Sequence, residues 1–137
     1  MVFFIMKAEA KAQVEAEISD TITELERAQV GRAPQQVKSY IIEDMVVIRL
    51  KGILTPIEQE LSKHPEGSDL IKRCRVCLVE KAQNIFKEII RNLLNVEVIA
   101  FYADISTEIN EGTIIFTLRE NVEPKFKEKK RRLKHIE

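Results

Sequence analysis

The chain has 137 residues, a length that suits one globular domain. Its 22 Lys and Arg residues balance 22 Asp and Glu residues, which excludes a uniformly basic nucleic-acid binder and a strongly acidic, solvating chain. Apolar residues make up 45%, with only four Gly and four Pro, which excludes a disordered or collagen-like chain.

A first long helix is predicted from about Phe4 to Gln29, a stretch without Pro or Gly. Its apolar residues recur at helical spacing: Val14, Ile18, Ile22, Leu25 and Ala28. Gly31 supplies a helix stop, and Pro34 fixes an extended backbone. The apolar run 1–6 is too short for a signal peptide or a spanning helix, so we expect a cytoplasmic protein.

Residues 37–50 predict a β-hairpin with a two-residue loop at Glu43-Asp44. One face of this hairpin is nearly all apolar: Val37, Ser39, Ile41, Val46, Ile48 and Leu50. The second face is also more apolar than the water-facing side of an antiparallel sheet usually is. We therefore expect a second subunit or another protein to cover it. The contact candidates on this face are Tyr40, Ile42, Met45, Val47 and Arg49.

Two further helices are predicted in the middle of the chain. The capping box from Thr55 to Glu58 indicates a short helix that ends near Lys63. We expect Ser68 to cap a second long helix over about 69–92. Its predicted core stripe is Ile71, Cys74, Leu78, Ala82, Ile85, Ile89 and Leu93.

The last two strands are predicted at 96–105 and 113–118, joined by a turn-rich loop over 106–112. The resulting fold class is α+β. Its two layers are a four-stranded, mainly antiparallel sheet of two hairpins and two long helices packed on one face.

Residues 1–120 are predicted to form this single domain, and residues 121–137 a basic extension. Residues 125–134 contain seven Lys or Arg and one acidic residue. A solvated end is one interpretation; contact with an anionic membrane surface, worth about 1 kcal/mol per cation, is a second. Nucleic-acid binding is an alternative, not favoured because only Phe126 offers an aromatic ring for base stacking. The interaction candidates here are Lys129, Lys130, Arg131 and Arg132.

The residues that carry chemistry do not form a recognisable catalytic set. Cys74 and Cys77 have a redox-like spacing, but they fall inside a predicted helix rather than at its N-terminus, so we expect structural, buried cysteines. Arg32, Asp104 and Thr107 lie at a predicted helix stop and a strand end, and are the candidates for anion or small-ligand contacts. We expect no cofactor, no bound metal and no enzymatic activity.

From roughly Ala12 to Leu118 the chain resembles the MpsC-type family. The segments that carry the resemblance agree in order and spacing: Gly31-Arg-Ala-Pro34, Asp44 to Gly52, Leu54-Thr-Pro56 with Glu58, Glu66-Gly67, Asp104-Ile-Ser-Thr107, and Thr113 to Leu118. Two positions depart from the pattern, with Ala33 where glycine is usual and Ser68 where arginine is common. The basic C-terminal run lies outside the pattern.

The resemblance implies a component of a sodium-translocating, membrane-potential-generating system, associated with a membrane transporter pair and without established catalytic residues. We expect a self-associating, non-enzymatic accessory protein that is peripheral to the membrane and acts by docking. Its expected partners are itself and a membrane transporter complex or an anionic membrane surface. One alternative is a nucleic-acid-binding or regulatory module that uses the basic tail. Another is an enzyme or small-molecule binder around Arg32, Arg49, Asp104 and Thr107.

Overall fold

The structure is a computed structural model that describes the backbone of residues 2–126 and the side chains of residues 10–126. Four helices and four strands follow one another along this part of the chain. They are α1 (Val2–Val30), β1 (Gln36–Ile42), β2 (Met45–Lys51), α2 (Pro56–Leu61), α3 (Pro65–Lys81), α4 (Gln83–Leu94), β3 (Val98–Ser106) and β4 (Glu111–Leu118). The predicted α+β class is confirmed.

The four strands form one antiparallel sheet in the order β1-β2-β4-β3. The predicted register of the first hairpin is confirmed, with Ile41 opposite Val46 and Ser39 opposite Ile48. Its loop has two residues, and Glu43 adopts the left-handed conformation at φ +54° that such tight turns need. The second hairpin pairs with the first through β2 and β4, which makes the sheet continuous.

The hydrophobic core lies between one face of the sheet and helices α1, α3 and α4. This inner face is apolar because alternate strand residues point the same way. Its most buried members are Val46, Ile48, Ile114, Phe116 and Leu118. From the helices, Ile18, Ile22, Phe86 and Ile90 pack against them, each with no exposed surface. The ring of Phe101 bridges those of Phe86 and Phe116, with centroids 6.0 and 5.4 Å away.

Two of the predicted helix signals are confirmed, at the start of α2 and at the end of α1. The Thr55 hydroxyl accepts from the Glu58 N–H at 3.2 Å, and the Glu58 carboxylate accepts from the Thr55 N–H at 2.9 Å, which confirms the capping box. Gly31, at φ +89°, ends α1, and its N–H donates to the Arg27 carbonyl at 2.9 Å.

The prediction of one second long helix is wrong in its limits. The helix begins at Pro65, whose fixed φ suits a first helical turn, so Ser68 lies inside α3 and does not cap it. The helix also breaks at Ala82, which leaves the α-helical conformation with ψ near 3° and is buried. The break separates α3 from α4, which begins at Gln83.

The stripe predicted for that helix is partly wrong as well. Cys74, Leu78 and Ile85 are exposed, whereas Ile71 and Arg75 are the buried residues of α3. The physical reason is a change of phase: a single helical period fitted across residues 71–93 ignores the break at Ala82.

The connection between β3 and β4 is shorter than predicted. Only 107–110 lie outside the strands, instead of the whole of 106–112. Gly112 belongs to β4 because it pairs with Leu50 of β2 and Ile105 of β3. It also lies against Ile53, since an added Cβ would be 3.2 Å from the Ile53 side chain. Asn110 stabilises the turn, since its side-chain oxygen accepts from the Leu54 N–H at 2.8 Å.

The packed unit continues past residue 120. Val122 is fully buried, and its N–H donates to the Glu43 carbonyl at 3.1 Å. Lys125 donates from Nζ to the Leu94 carbonyl at 3.0 Å, and Phe126 packs against the core. The segment that follows β4 is therefore tied to the domain as far as the structure describes it.

Candidate functional site

The sheet face opposite the core is the first candidate site, and we call it the outer face. Its members are Gln36, Lys38, Tyr40 and Ile42 of β1; Met45, Val47, Arg49 and Lys51 of β2; Glu111, Thr113, Ile115 and Thr117 of β4; and Ala100, Tyr102, Asp104 and Ser106 of β3. None of them is buried. The described helices that contact the sheet do so over the core, on its opposite side.

The strand register sorts the outer face into four rows that cross the sheet. One row is Tyr40–Val47–Ile115–Tyr102, and the next is Ile42–Met45–Thr117–Ala100. Together they form an apolar half, in which Tyr40 is 42% exposed and Tyr102 58%. The other two rows are polar: Lys38–Arg49–Thr113–Asp104 and Gln36–Lys51–Glu111–Ser106.

Charge on the polar half is divided by strand. The cations lie on β1 and β2, and the carboxylates of Glu111 and Asp104 lie on β4 and β3. Arg49 donates from Nε to Glu111 at 2.7 Å. Within residues 10–126, neither Lys38 nor Lys51 forms an ion pair. Two cations of this half therefore have no partner in the described part of the chain.

Five contact candidates predicted from the sequence lie together on this face: Tyr40, Ile42, Met45, Val47 and Arg49. The hairpin pattern alone could not show that β4 and β3 complete the surface. The residues missed are Ile115 and Tyr102, which extend the apolar row, together with Ile99, exposed at a bulge of β3. The alternation of inward and outward residues along β3 and β4 could have identified Ile115 and Tyr102 from the sequence.

The proposed anion or small-ligand contacts do not form a joint site. Asp104 forms an ion pair with Lys72 of α3 at 3.3 Å. The pKa of Asp104 is lowered by the hydrogen bond from the Ile105 N–H and by the Lys72 ammonium. The Thr107 hydroxyl bonds the Ser68 hydroxyl. Arg32 makes no hydrogen bond or ion pair with the rest of residues 10–126. Asp104 and Thr107 therefore hold local structure, and Arg32 forms no bond with either of them.

A second feature is a buried ionic cluster between the core and α2. The guanidinium of Arg75, 8% exposed, donates to both carboxylate oxygens of Glu58 at 2.8 and 2.6 Å, and to the Ile53 carbonyl at 2.7 Å. Burial alone would raise the pKa of Glu58, but the bonds from Arg75 and Thr55 outweigh it and lower that pKa. This cluster ties α3 to the start of α2.

Glu26 of α1 lies close to this cluster, and its carboxylate makes no hydrogen bond with any described residue. Its side chain is 6% exposed and lines a cavity of about 40 Å³ together with Arg75 and apolar residues. Burial raises the pKa of Glu26, and the charge of Arg75 opposes the rise only in part. A cavity of this size holds water rather than an organic ligand.

The cysteines contradict their predicted environment. Cys74 and Cys77 are exposed on the outward side of α3, next to Leu70 and Leu78. Buried positions of α3 are taken by Ile71 and Arg75 instead. Among the residues with described side chains, no three His, Cys, Asp or Glu side chains are arranged to hold a metal ion.

The basic tail candidates Lys129, Lys130, Arg131 and Arg132 lie outside the described residues. Across the residues the structure does describe, no helix combines the length and apolar character required to cross a bilayer.

The fold defines a small α+β domain with a sheet face that residues 10–126 leave uncovered. A family model described as "Na+-translocating membrane potential-generating system (MpsC)" matches residues 10–120, and the chain belongs to this family. It is 37% identical to "Uncharacterized protein YbcI" of Bacillus subtilis (strain 168) over 114 residues. This alignment covers 83% of this chain and 92% of that protein. It is 25% identical over 111 residues to "Uncharacterized protein YrhF" of the same organism, with coverage of 78% and 88%. No solved structure matches significantly.

Proposed function

We propose that this MpsC-family protein is a non-enzymatic accessory component of a sodium-translocating, membrane-potential-generating system and that it acts by protein–protein docking. The observation that carries the proposal is the apolar half of the outer face, where the described part of the chain leaves two aligned rows of side chains uncovered. Exposed apolar patches of this kind mark interaction surfaces in proteins.

The dispersal of reactive groups supports a binding role over a catalytic one. General acid–base or nucleophilic catalysis requires side chains within hydrogen-bond reach of one reacting centre. In this chain Asp104 is engaged with Lys72, Thr107 with Ser68, and Arg49 with Glu111. Each of these pairs stabilises a local connection of the fold.

The test is photo-cross-linking in cells with a benzophenone amino acid placed at single positions of the full chain. Tyr102 lies in the apolar half of the proposed docking surface, on the edge strand β3. Ile57 of α2 is the control, an apolar residue that is 73% exposed on another element. We expect a discrete cross-linked product from position 102 and none from position 57. Equal labelling at both positions, or no product at 102, would contradict docking through the outer face.

Location at the membrane periphery is a separate part of the proposal. The tail would attract anionic lipid through Lys129, Lys130, Arg131 and Arg132. A variant with these four changed to Gln keeps Val122 and Phe126, which pack on the core, so its fold is preserved. We expect it to lose co-sedimentation with phosphatidylserine vesicles that the wild type shows. Equal pelleting of both proteins would reject the lipid contact.

A further inference from the structure

The proposed function leaves open which protein covers the outer face, and the arrangement of its side chains points to one occupant. Two sheets that pack face to face keep their strands roughly aligned, about 10 Å apart. A symmetric dimer of this kind has a two-fold axis in the plane between the sheets. That axis runs either along the strands or across them, and the two choices bring different rows together.

An axis along the strands keeps each row opposite the same row and reverses the strand order. Because the order is β1-β2-β4-β3, β1 then lies over β3 of the second copy, and β2 lies over β4. Tyr40 faces the Tyr102 position and Val47 faces the Ile115 position. The two apolar halves are therefore buried against each other.

The same axis places opposite charges together. Lys38 lies opposite the Asp104 position, and Lys51 lies opposite the Glu111 position. Within the residues that the structure describes, these two lysines have no ion-pair partner. An axis across the strands would instead lay the polar rows on the apolar rows and leave Lys38 over the Tyr40 position and Lys51 over the Met45 position. Only the axis along the strands is complementary in both charge and hydrophobicity.

We propose that the outer face is a homodimer interface, in which a second copy of this chain packs sheet to sheet across a two-fold axis parallel to the strands. This inference rests on the proposed docking function and names its partner. Four strands about 4.8 Å apart and four rows about 6.7 Å apart give roughly 500 Å² per copy, or about 1,000 Å² in total. That area is at the lower limit for a specific interface, so the dimer is concentration-dependent, with dissociation in the micromolar range or weaker.

Cysteine cross-linking tests the axis. In a Cys74→Ser/Cys77→Ser background, both Tyr40→Cys and Tyr102→Cys are introduced, and a bismaleimide with a reach of about 10 Å is added. The double variant should give a covalent dimer. Each single variant is the matched control and should stay monomeric on a denaturing gel, because residues of the same number lie on opposite edges of the dimer. Cross-linking of the single variants, or none in the double variant, overturns the proposed packing.

Charge reversal provides a second readout that keeps the aromatic contacts. Lys38→Glu and Asp104→Lys should each weaken dimerisation about tenfold or more, since each change affects two symmetric pairs. The combined variant should recover most of the loss. Additive losses in the combined variant would overturn the pairing, provided that thermal unfolding shows all three variants folded.

The in-cell cross-link at Tyr102 separates this inference from the proposed function. A product with twice the mass of the chain supports the homodimer. A product with a different protein overturns the homodimer and leaves docking through the outer face intact. No product at all contradicts both.

Discussion

The Arg75–Glu58 cluster leads to a sharp prediction about stability, because removing Arg75 leaves the Glu58 carboxylate without a cation. Changing Arg75 to Met keeps much of the buried aliphatic volume but removes the charge. It also removes two bonds to the Glu58 carboxylate and one to the Ile53 carbonyl. The Glu58 carboxylate is then left with the Thr55 N–H as its described partner.

The size of the loss follows from burial. Removing one member of a fully buried ion pair costs about 3–5 kcal/mol. The Glu58 side chain is 21% exposed, so water relieves part of that cost, and we expect Arg75→Met to lower the free energy of unfolding by about 2–4 kcal/mol. The control is Arg73→Met. Its ion pair with Asp69 is 71% and 69% exposed, so this variant should lose less than about 1 kcal/mol.

The assay is urea unfolding followed by circular dichroism at pH 7, with the double variant Arg75→Met/Glu58→Gln included. The double variant should recover part of the loss because no uncompensated charge stays behind. Since the folded-state pKa of Glu58 is lowered, its stabilising contribution is present above its unfolded pKa and disappears as the pH falls through the folded value. The penalty of Arg75→Met should therefore shrink on acidification. A loss no larger than that of Arg73→Met would refute the reasoning.

Two further substitutions test the buried features. Because burial raises the folded-state pKa of Glu26, its neutral form contributes stability that is complete below the unfolded value and is lost as the pH rises through the folded one. Glu26→Gln should thus raise the free energy of unfolding by about 1 kcal/mol at pH 7, seen as a higher Tm, and give no gain near pH 4.5. The exposed control Glu17→Gln should change stability little at either pH. A gain for Glu26→Gln that does not depend on pH would be inconsistent with this reasoning. Gly67→Ala should destabilise by more than about 2 kcal/mol in thermal melts although alanine is the better helix former, because its Cβ would lie 1.9 Å from the Leu61 carbonyl oxygen. Gly31 has φ +89° and open space around an added Cβ, so Gly31→Ala should lower the free energy of unfolding by only about 1 kcal/mol. A larger loss for Gly31→Ala than for Gly67→Ala would show that the steric argument fails.

Local patterns in the sequence predicted the sheet and the first helix well. Strand alternation fixed the hairpin register because a shift of one residue would turn Ile41, Val46 and Ile48 away from the core. The capping box at Thr55 succeeded for a similar reason, since both of its bonds are made within four residues. Features set by short-range geometry were therefore accessible from the sequence.

Features set by tertiary packing were not. No Pro or Gly in the sequence indicates the break at Ala82, and α3 buries Arg75 where the fitted stripe predicted Cys74. A buried arginine is unexpected from composition, because its partner Glu58 is 17 residues away and the sequence assigns that carboxylate to the helix cap. The outer face was only half predicted, since the sequence does not show that β4 lies beside β2.

The central claim is that a second copy of this chain covers the outer face, and the mass of the full chain in solution tests it most directly. Sedimentation equilibrium from about 1 μM to about 1 mM spans the affinity expected for an interface of this area. We predict that the mean mass rises from the 15.9 kDa of one chain towards twice that value, and that Tyr102→Glu abolishes the rise. A mass of 15.9 kDa throughout, or a rise that Tyr102→Glu leaves unchanged, would contradict the account.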